Sequence, residues 1–301
     1  FEFTDPDFSL ATQFDFLTFI TKLFPMSYDT VYPEGMPMIY SGTAVLILVP
    51  LFFMNDRITM KEKTSTGLLT FLLVILMYIK PADMAMHGFQ VPNWLPYRYS
   101  FIFSFLMIVM AFRAFENLEG ITAKNLGGIL FGLMVFLFWC ERENYSHFQL
   151  FETKTSETGD TTNVIQGIWV SMIALAAYFA LIYLIKKYPK SKAVCIVMVG
   201  VLAVELFANC ADTIDKIDTD VAYSKYTSYE PYMTQTRNAV SMMKEYDPSL
   251  FYRMEATFHR TVNDPIGTGY KGISHSSSTM NAPALMMLHK LGYAYGGHYT
   301  K

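Results

Sequence analysis

Charged residues are scarce in this chain, and their scarcity argues against an ordinary soluble protein. Only 16% of the 301 residues are Asp, Glu, Lys or Arg, whereas soluble domains typically carry about 25%. Hydrophobic residues account for 52%, and they are concentrated in long apolar runs. The composition therefore predicts an integral membrane protein.

The signatures of several common chemistries are also missing. Cys140, Cys195 and Cys210 have neither metal-site spacing nor the pattern of a disulfide framework, and we interpret them as thiols, with a Cys140–Cys210 bridge left open. No nucleophile elbow, zinc-protease motif, phosphate loop or dinucleotide fingerprint is present. No basic patch interleaves with aromatic residues outside the apolar runs. We therefore predict no metal, no cofactor and no nucleic-acid partner.

Six apolar runs are long enough, or nearly long enough, to cross a bilayer as helices, which takes about 20 residues. They are too rich in Leu, Ile, Phe, Val and Met to be surface helices. The sequence therefore predicts a polytopic α-helical membrane protein with about six transmembrane helices in a domain spanning 37–210. The runs lie at about 37–54, 64–80, 98–115, 121–140, 163–185 and 192–210.

Basic residues are distributed unequally between the two sets of connecting loops. The short loops after the first, third and fifth runs carry nine of them, and the longer loops on the opposite side carry four. By the positive-inside rule, the first set faces the cytoplasm. Both ends of the chain, and the loops 80–97 and 141–162, are then predicted to be extracytoplasmic.

The two flanking regions differ from the apolar domain. Residues 1–36 are predicted to be an extracytoplasmic loop with an interfacial helix at 8–24. Residues 211–301 are predicted to be an extracytoplasmic, truncated α/β domain. It contains a helix with Pro231 in its first turn and an end near Tyr246, a strand at 250–258, and a helix opened by Asn281 and closed by Gly292. The chain begins at Phe1, and we expect it to be part of a longer polypeptide.

The stretch HGFQVPNWLPYRYSFIFSF at 87–105 carries a polar, aromatic loop directly into an apolar run. A cation such as Arg98 at the mouth of a membrane helix is energetically costly unless an anion pairs with it. A guanidinium can bind two phosphate oxygens at once. Trp94 and Tyr97 also fit an aromatic belt that anchors the helix. The candidate ligand-binding residues of this loop are His87, Gln90, Asn93, Trp94, Tyr97 and Arg98.

A second charged cluster, Glu141, Arg142 and Glu143, follows the fourth run. The cluster is typical of a solvated helix end. The alternative is that a glutamate supplies an acid or base and Arg142 supplies a second contact to phosphate. Glu205 lies inside the sixth run, where an acidic residue is a functional candidate by default. The alternative is that Glu205 snorkels to the surface.

Four stretches of the chain resemble the YfhO family of bacterial membrane proteins, in the order and spacing of that family. They are GMPMIYSG at 35–42, the 87–105 stretch, FYRMEATFHRTVNDP at 251–265 and GYKGISHSSSTMN at 269–281. The resemblance covers essentially the whole chain.

The resemblance implies a GT-C-type glycosyltransferase at the bacterial cell membrane. Such an enzyme would move a sugar from polyprenyl phosphate to a cell-envelope polymer, such as lipoteichoic acid, on the outer face. The catalytic base is expected in an amino-terminal part not contained here, and Glu141 and Glu143 are weaker local candidates. Two alternatives stay open: a transporter or flippase of lipid-linked sugars, and a non-catalytic scaffold that binds envelope polymer.

Overall fold

The computed structural model describes residues 7–92, 94–143, 153–155, 161–163, 167–221, 223–249, 251–277, 281–293, 295–296 and 299–300. The chain divides into two compact units, one covering Pro6–Val221 and the other covering Ala222–Lys301 together with Phe1–Asp5. The boundary falls eleven residues after the predicted end of the membrane domain, because the last helix of the first unit continues to Asp220.

The larger unit is built from helices connected mostly by short loops. Its helices are α1 (Phe16–Thr21), α2 (Thr43–Met54), α3 (Met60–Tyr78), α4 (Lys80–Met86), α5 (Ser100–Glu116), α6 (Ala123–Arg142), α7 (Gly167–Lys187) and α8 (Lys192–Asp220). A 3-10 turn, Leu118–Gly120, joins α5 to α6, and a short antiparallel hairpin pairs β1 (Thr153–Thr155) with β2 (Thr161–Asn163).

Helix α2 lies at the centre of this unit. It packs against α5, α6 and α7, and nine of its twelve residues are buried. Because it is apolar on all sides, it has no polar face to turn toward solvent. The residues just before it, 36–42, form a non-helical segment in which Ile39 is fully buried.

The six predicted runs correspond to α2, α3, α5, α6, α7 and α8, with differences at their ends. The second run does not extend as a single helix through Lys80: the chain breaks at Ile79, which is extended and bridges to Thr12, and restarts as α4 with Pro81 in its first turn. Pro81 lacks the N–H that a continuous helix would need at that position, but it is tolerated in the first turn of a new helix.

The predicted helix at 8–24 is wrong in extent, since only Phe16–Thr21 is helical. Asp15 begins that helix by accepting a hydrogen bond from the Thr18 N–H at 2.9 Å, which is the usual action of an N-cap. The preceding residues are instead held beside α3, where the Gln13 N–H donates to the Tyr78 carbonyl.

Three of the described helices are long and apolar enough to cross a membrane by length and composition: α6, α7 and α8. The shorter α2 is also apolar. The cysteines are free thiols, with Cys140 buried and Cys195 and Cys210 exposed.

The smaller unit is helical with short strands. Its helices are α9 (Tyr226–Tyr246), α10 (Asp264–Thr268) and α11 (Ala282–Lys290), and the order of its antiparallel sheet is β3 (His275–Ser276), β5 (Tyr299–Thr300), β4 (Tyr295–Gly296). The predicted end of α9 at Tyr246 is confirmed. Its start lies earlier than predicted, so Pro231 is inside the helix.

Two further predictions for this unit have opposite outcomes. The helix opened by Asn281 is confirmed: the Asn281 side chain accepts from the Ala284 N–H at 3.1 Å, and Gly292 follows the helix in a left-handed conformation. The strand at 250–258 is wrong for the described residues 251–258. Residues 252–256 have no regular secondary structure. The Met254 N–H donates to the Lys271 carbonyl, but the Ala256 N–H donates to the Glu255 carboxylate instead of continuing a strand ladder.

Candidate functional site

The backbone of the loop that leads into α5 is strained. Phe89, Leu95 and Tyr97 are non-glycine residues with positive φ, at 61°, 53° and 54°, and Gly88 has φ 67°. Such conformations are uncommon for side chains of this size, and they concentrate at functional sites, where the surrounding structure holds them. The Leu95 N–H donates to the Val31 carbonyl at 2.7 Å, which ties this loop to the 30–32 segment.

Arg98 lies at the end of this loop and is exposed. Its guanidinium donates to the carbonyl of Trp94 at 3.0 Å and to that of Leu95 at 3.3 Å. In the described part of the chain it forms no ion pair, so its charge is not neutralised there. It borders a cavity of about 280 Å³, which we call the Arg98 cavity. The lining residues are Thr30, Met36, Met38, Leu95, Pro96, Tyr97, Arg98 and Ser100.

His87 forms a buried pair with Asp83, one helical turn earlier. The imidazole Nδ1 lies 3.3 Å from the carboxylate Oδ1, and both side chains are less than one-tenth exposed. The hydrogen bond to Asp83 raises the pKa of His87, and burial and the nearby charge of Arg98 oppose this rise without cancelling it. The second ring nitrogen, Nε2, is buried and has no hydrogen-bond partner among the described residues.

Asp83 is the centre of this cluster. It also accepts hydrogen bonds from the Tyr99 hydroxyl and from the Gln13 amide, each at 2.8 Å. A buried carboxylate needs such partners because desolvation of an unpaired charge is costly. The arrangement fixes the imidazole ring of His87 near the guanidinium of Arg98.

The other candidates in this loop have different surroundings. Trp94 is half-exposed and its ring packs on Tyr32 with centroids 4.8 Å apart. Tyr97 is buried and packs edge-on against Phe14, and it also lines the Arg98 cavity. The Gln90 Oε1 atom is buried without a described partner. Asn93 lies outside the described residues.

The second charged cluster does not join this site through any contact of the described residues. Glu141 and Arg142 form the last turn of α6, and Glu143 is its C-cap. Arg142 and Glu143 are exposed. A cation in the last turn interacts favourably with the helix dipole. This interaction explains the position of Arg142 without a ligand.

Glu205 in α8 is 6% exposed. One carboxylate oxygen accepts from the Tyr40 hydroxyl at 2.5 Å and from the Thr43 N–H at 2.8 Å. The other accepts from the Tyr178 hydroxyl at 2.6 Å. Glu205 therefore does not snorkel to the surface: it caps the amino terminus of α2 and ties that helix to α7 and α8.

A second cavity, of about 190 Å³, lies between α8 and the segment that precedes α2. We call it the Lys22 cavity, after a lysine whose side chain is only 4% exposed. Burial lowers the pKa of Lys22, and the Asp29 carboxylate at 3.3 Å opposes this effect. The lining residues are Lys22, Ser27, Tyr28, Met38, Ile39, Tyr40, Asn209 and Thr213.

Sequence reasoning missed Asp83 and Lys22. The signal for Asp83 was its position four residues before His87 and just after Pro81, where a short helix would bring the two side chains together. The signal for Lys22 was a lone cation in the apolar stretch FLTFITKLF at 16–24. The same argument that selected Arg98 applies to it.

The comparisons with known proteins give one match. A family model described as "Bacterial membrane protein YfhO" matches residues 2–300. No curated protein and no solved structure matches the chain. The family match confirms the resemblance found in the sequence.

Proposed function

Because this chain belongs to the YfhO family of bacterial membrane proteins, we propose that it is a membrane glycosyltransferase. It moves a sugar from polyprenyl phosphate to a cell-envelope polymer, such as lipoteichoic acid, on the outer face of the membrane. The observation that carries this proposal is the Arg98 guanidinium, exposed at the border of a cavity and without an ion pair among the described residues.

The topology in this proposal extends beyond the three long helices. Helices α2, α3 and α5 cross the bilayer together with α6, α7 and α8, and the loops after α2, α5 and α7 face the cytoplasm. The Arg98 loop and residues 211–301 are then extracytoplasmic. The correspondence of these six helices with the six apolar runs supports this arrangement, and so does the bias of basic residues toward one set of loops.

In the reaction, the bond between the sugar C1 and the phosphate oxygen breaks, and a bond from C1 to an acceptor hydroxyl oxygen forms with inversion. The leaving phosphate gains negative charge, which Arg98 and protonated His87 would stabilise. His87 is suited to this because Asp83 favours its charged form and its Nε2 lacks a described acceptor. Since Nε2 is buried, the phosphate reaches it only after a neighbouring side chain moves.

The proton of the acceptor hydroxyl must pass to a base within reach. The Asp83 carboxylate is unsuited to that role, because both of its oxygens already accept hydrogen bonds from protein groups. Glu141 and Glu143 are the weaker candidates for this base that the sequence itself offers.

The test is sugar transfer by Arg98 variants of the full-length protein in lipid nanodiscs. We expect Arg98→Ala to abolish transfer from a polyprenyl-phosphate sugar, and Arg98→Lys to retain part of it, because lysine keeps the charge and loses the planar fork. Arg57→Ala, at an exposed arginine on the loop after α2, is the matched control and should transfer normally.

The same assay separates the proposal from its rivals. A transporter of lipid-linked sugars would move the donor across the membrane without cleaving it, and a scaffold would bind polymer without consuming donor. Normal transfer by Arg98→Ala would contradict the phosphate role. Absence of transfer by the wild-type protein, together with donor translocation, would favour the transporter.

A further inference from the structure

The Arg98 cavity and the Lys22 cavity share a wall. Met38 lines both the Arg98 cavity and the Lys22 cavity, and it belongs to the non-helical segment that precedes α2. The two cavities are therefore neighbours. We infer that a ligand whose phosphate binds Arg98 can place the adjoining group of the same molecule in the Lys22 cavity.

The lining of the Lys22 cavity is rich in hydroxyl, amide and amine groups. Its formal charges are compensated, because Lys22 pairs with Asp29. The neighbouring Lys216 similarly pairs with Asp212, at 2.8 Å. The hydroxyls of Tyr28, Tyr40 and Thr213 already donate to protein acceptors, so each still has lone pairs with which to accept. This combination suits a neutral polyol better than a phosphate.

Helix α8 contributes a polar stripe to this cavity. Glu205, Asn209 and Thr213 are spaced four residues apart, so they lie on one face of the helix. Glu205 and Asn209 lie in the apolar part of α8, where polar side chains are costly unless they are used, whereas Thr213 lies in the polar continuation of the helix. Glu205 is fully engaged with Tyr40, Thr43 and Tyr178. The Asn209 Oδ1 accepts from the Met26 N–H at 2.8 Å, whereas its amide nitrogen donates to no described residue.

We propose that the Lys22 cavity is the subsite that holds the sugar of the lipid-linked donor. This inference rests on the proposed function, in which the phosphate of the same donor binds Arg98. Met38 then lies beside the bond between sugar and phosphate.

The Lys22 cavity has room for one sugar ring, since it measures about 190 Å³. Because the cavity is open on one side, the further sugars of a longer glycan would extend out of it.

The experiment compares binding of two kinds of lipid to the full-length protein in nanodiscs. The probes are bare polyprenyl phosphate and, in turn, polyprenyl-phosphate glucose, galactose and N-acetylglucosamine. The variants are Thr213→Val, which removes one hydroxyl and keeps the shape, and Asn209→Asp, which keeps the acceptor for the Met26 N–H and removes the amide donor. The control is Thr219→Val, because Thr219 makes the same type of backbone hydrogen bond on the exposed part of α8.

We expect at least one sugar-bearing lipid to bind the wild-type protein more tightly than bare polyprenyl phosphate does. That advantage should fall about threefold to tenfold in each subsite variant, the loss typical of one hydrogen bond. Binding of bare polyprenyl phosphate should stay unchanged, and Thr219→Val should behave like the wild type. A merely structural defect would instead weaken the binding of both lipids.

Two results would overturn the inference: no sugar-bearing lipid has an advantage, or the advantage survives in both subsite variants. Neither result contradicts the proposed function if Arg98→Ala still fails to bind bare polyprenyl phosphate. Conversely, failure of the proposed function appears as normal binding of bare polyprenyl phosphate by Arg98→Ala, whatever the subsite variants do.

Discussion

Replacement of Tyr178 by Phe should destabilise the larger unit more than replacement of Tyr40 by Phe. Both hydroxyls donate to the buried Glu205. The carboxylate oxygen that accepts from Tyr40 also accepts from the Thr43 N–H, whereas the oxygen that accepts from Tyr178 has no second donor among the described residues. Tyr178→Phe therefore leaves a buried carboxylate oxygen without a described partner, and Tyr40→Phe does not.

The magnitude follows from this difference. A hydrogen bond to a charged group contributes about 1.5–3 kcal/mol, and an unsatisfied buried acceptor brings the loss toward the upper end of that range. We expect a decrease of about 2–3 kcal/mol in the free energy of unfolding for Tyr178→Phe and about 1 kcal/mol for Tyr40→Phe. The side chain of Tyr178 is fully buried, so solvent cannot replace the lost donor.

The assay is equilibrium unfolding of the full-length protein in mixed detergent micelles, followed by circular dichroism. Tyr183→Phe is the matched control, since Tyr183 lies on the same helix and is 40% exposed; its effect should stay within about 0.5 kcal/mol. Equal losses for the Tyr178 and Tyr40 variants, or no loss for Tyr178→Phe, would refute the account of Glu205 as a helix-joining acceptor.

Two further predictions concern the His87 pair and the cap of α11. Because the pKa of His87 in the folded protein is raised above 6.5 by Asp83, its stabilising effect is complete below pH 6.5 and is lost as the pH rises through the folded-state value. The thermal stability of the wild type should therefore fall over that range, and that of His87→Gln should change less; parallel curves would contradict the pairing. In the smaller unit, Asn281→Ala should cost about 1 kcal/mol of α11 stability, measured as faster amide exchange in that helix, with exposed Met286→Ala as the control. Unchanged exchange in Asn281→Ala would show that the side chain does not act as a cap.

The helices could be predicted from the sequence more completely than the site. Long apolar runs predict helices directly, and the Asn281 cap is a local signal. The predicted ends of these helices therefore agree with the structure to within six residues, except that α8 continues ten residues beyond its predicted end. The failures involve partners far away in the chain. The residues before α1 are held by α3, and the 252–256 segment pairs with no strand in the described part of the chain. Neither fact can be read from local residue patterns.

The site shows the same limit. Arg98 could be selected because a lone cation beside an apolar helix is unusual in itself. The Lys22 cavity could not be predicted, because it forms only where residues 22–40 meet α8, more than 160 residues later in the chain. Glu205 could be selected as an acidic residue inside an apolar run. Its burial could not be predicted, because it depends on two tyrosines from different parts of the chain.

The shortness of α2 has a consequence for where a ligand would sit. Its twelve residues give a length of about 18 Å, whereas the hydrocarbon core of a bilayer is about 30 Å thick. If α2 spans with its neighbours, the irregular 36–42 segment must complete the crossing, which is tolerated where surrounding protein shields the backbone from lipid. Both cavities border this segment. A sugar–phosphate head there would rest below the headgroup plane, with its isoprenoid tail level with the acyl chains and little bulk water around the reacting bond.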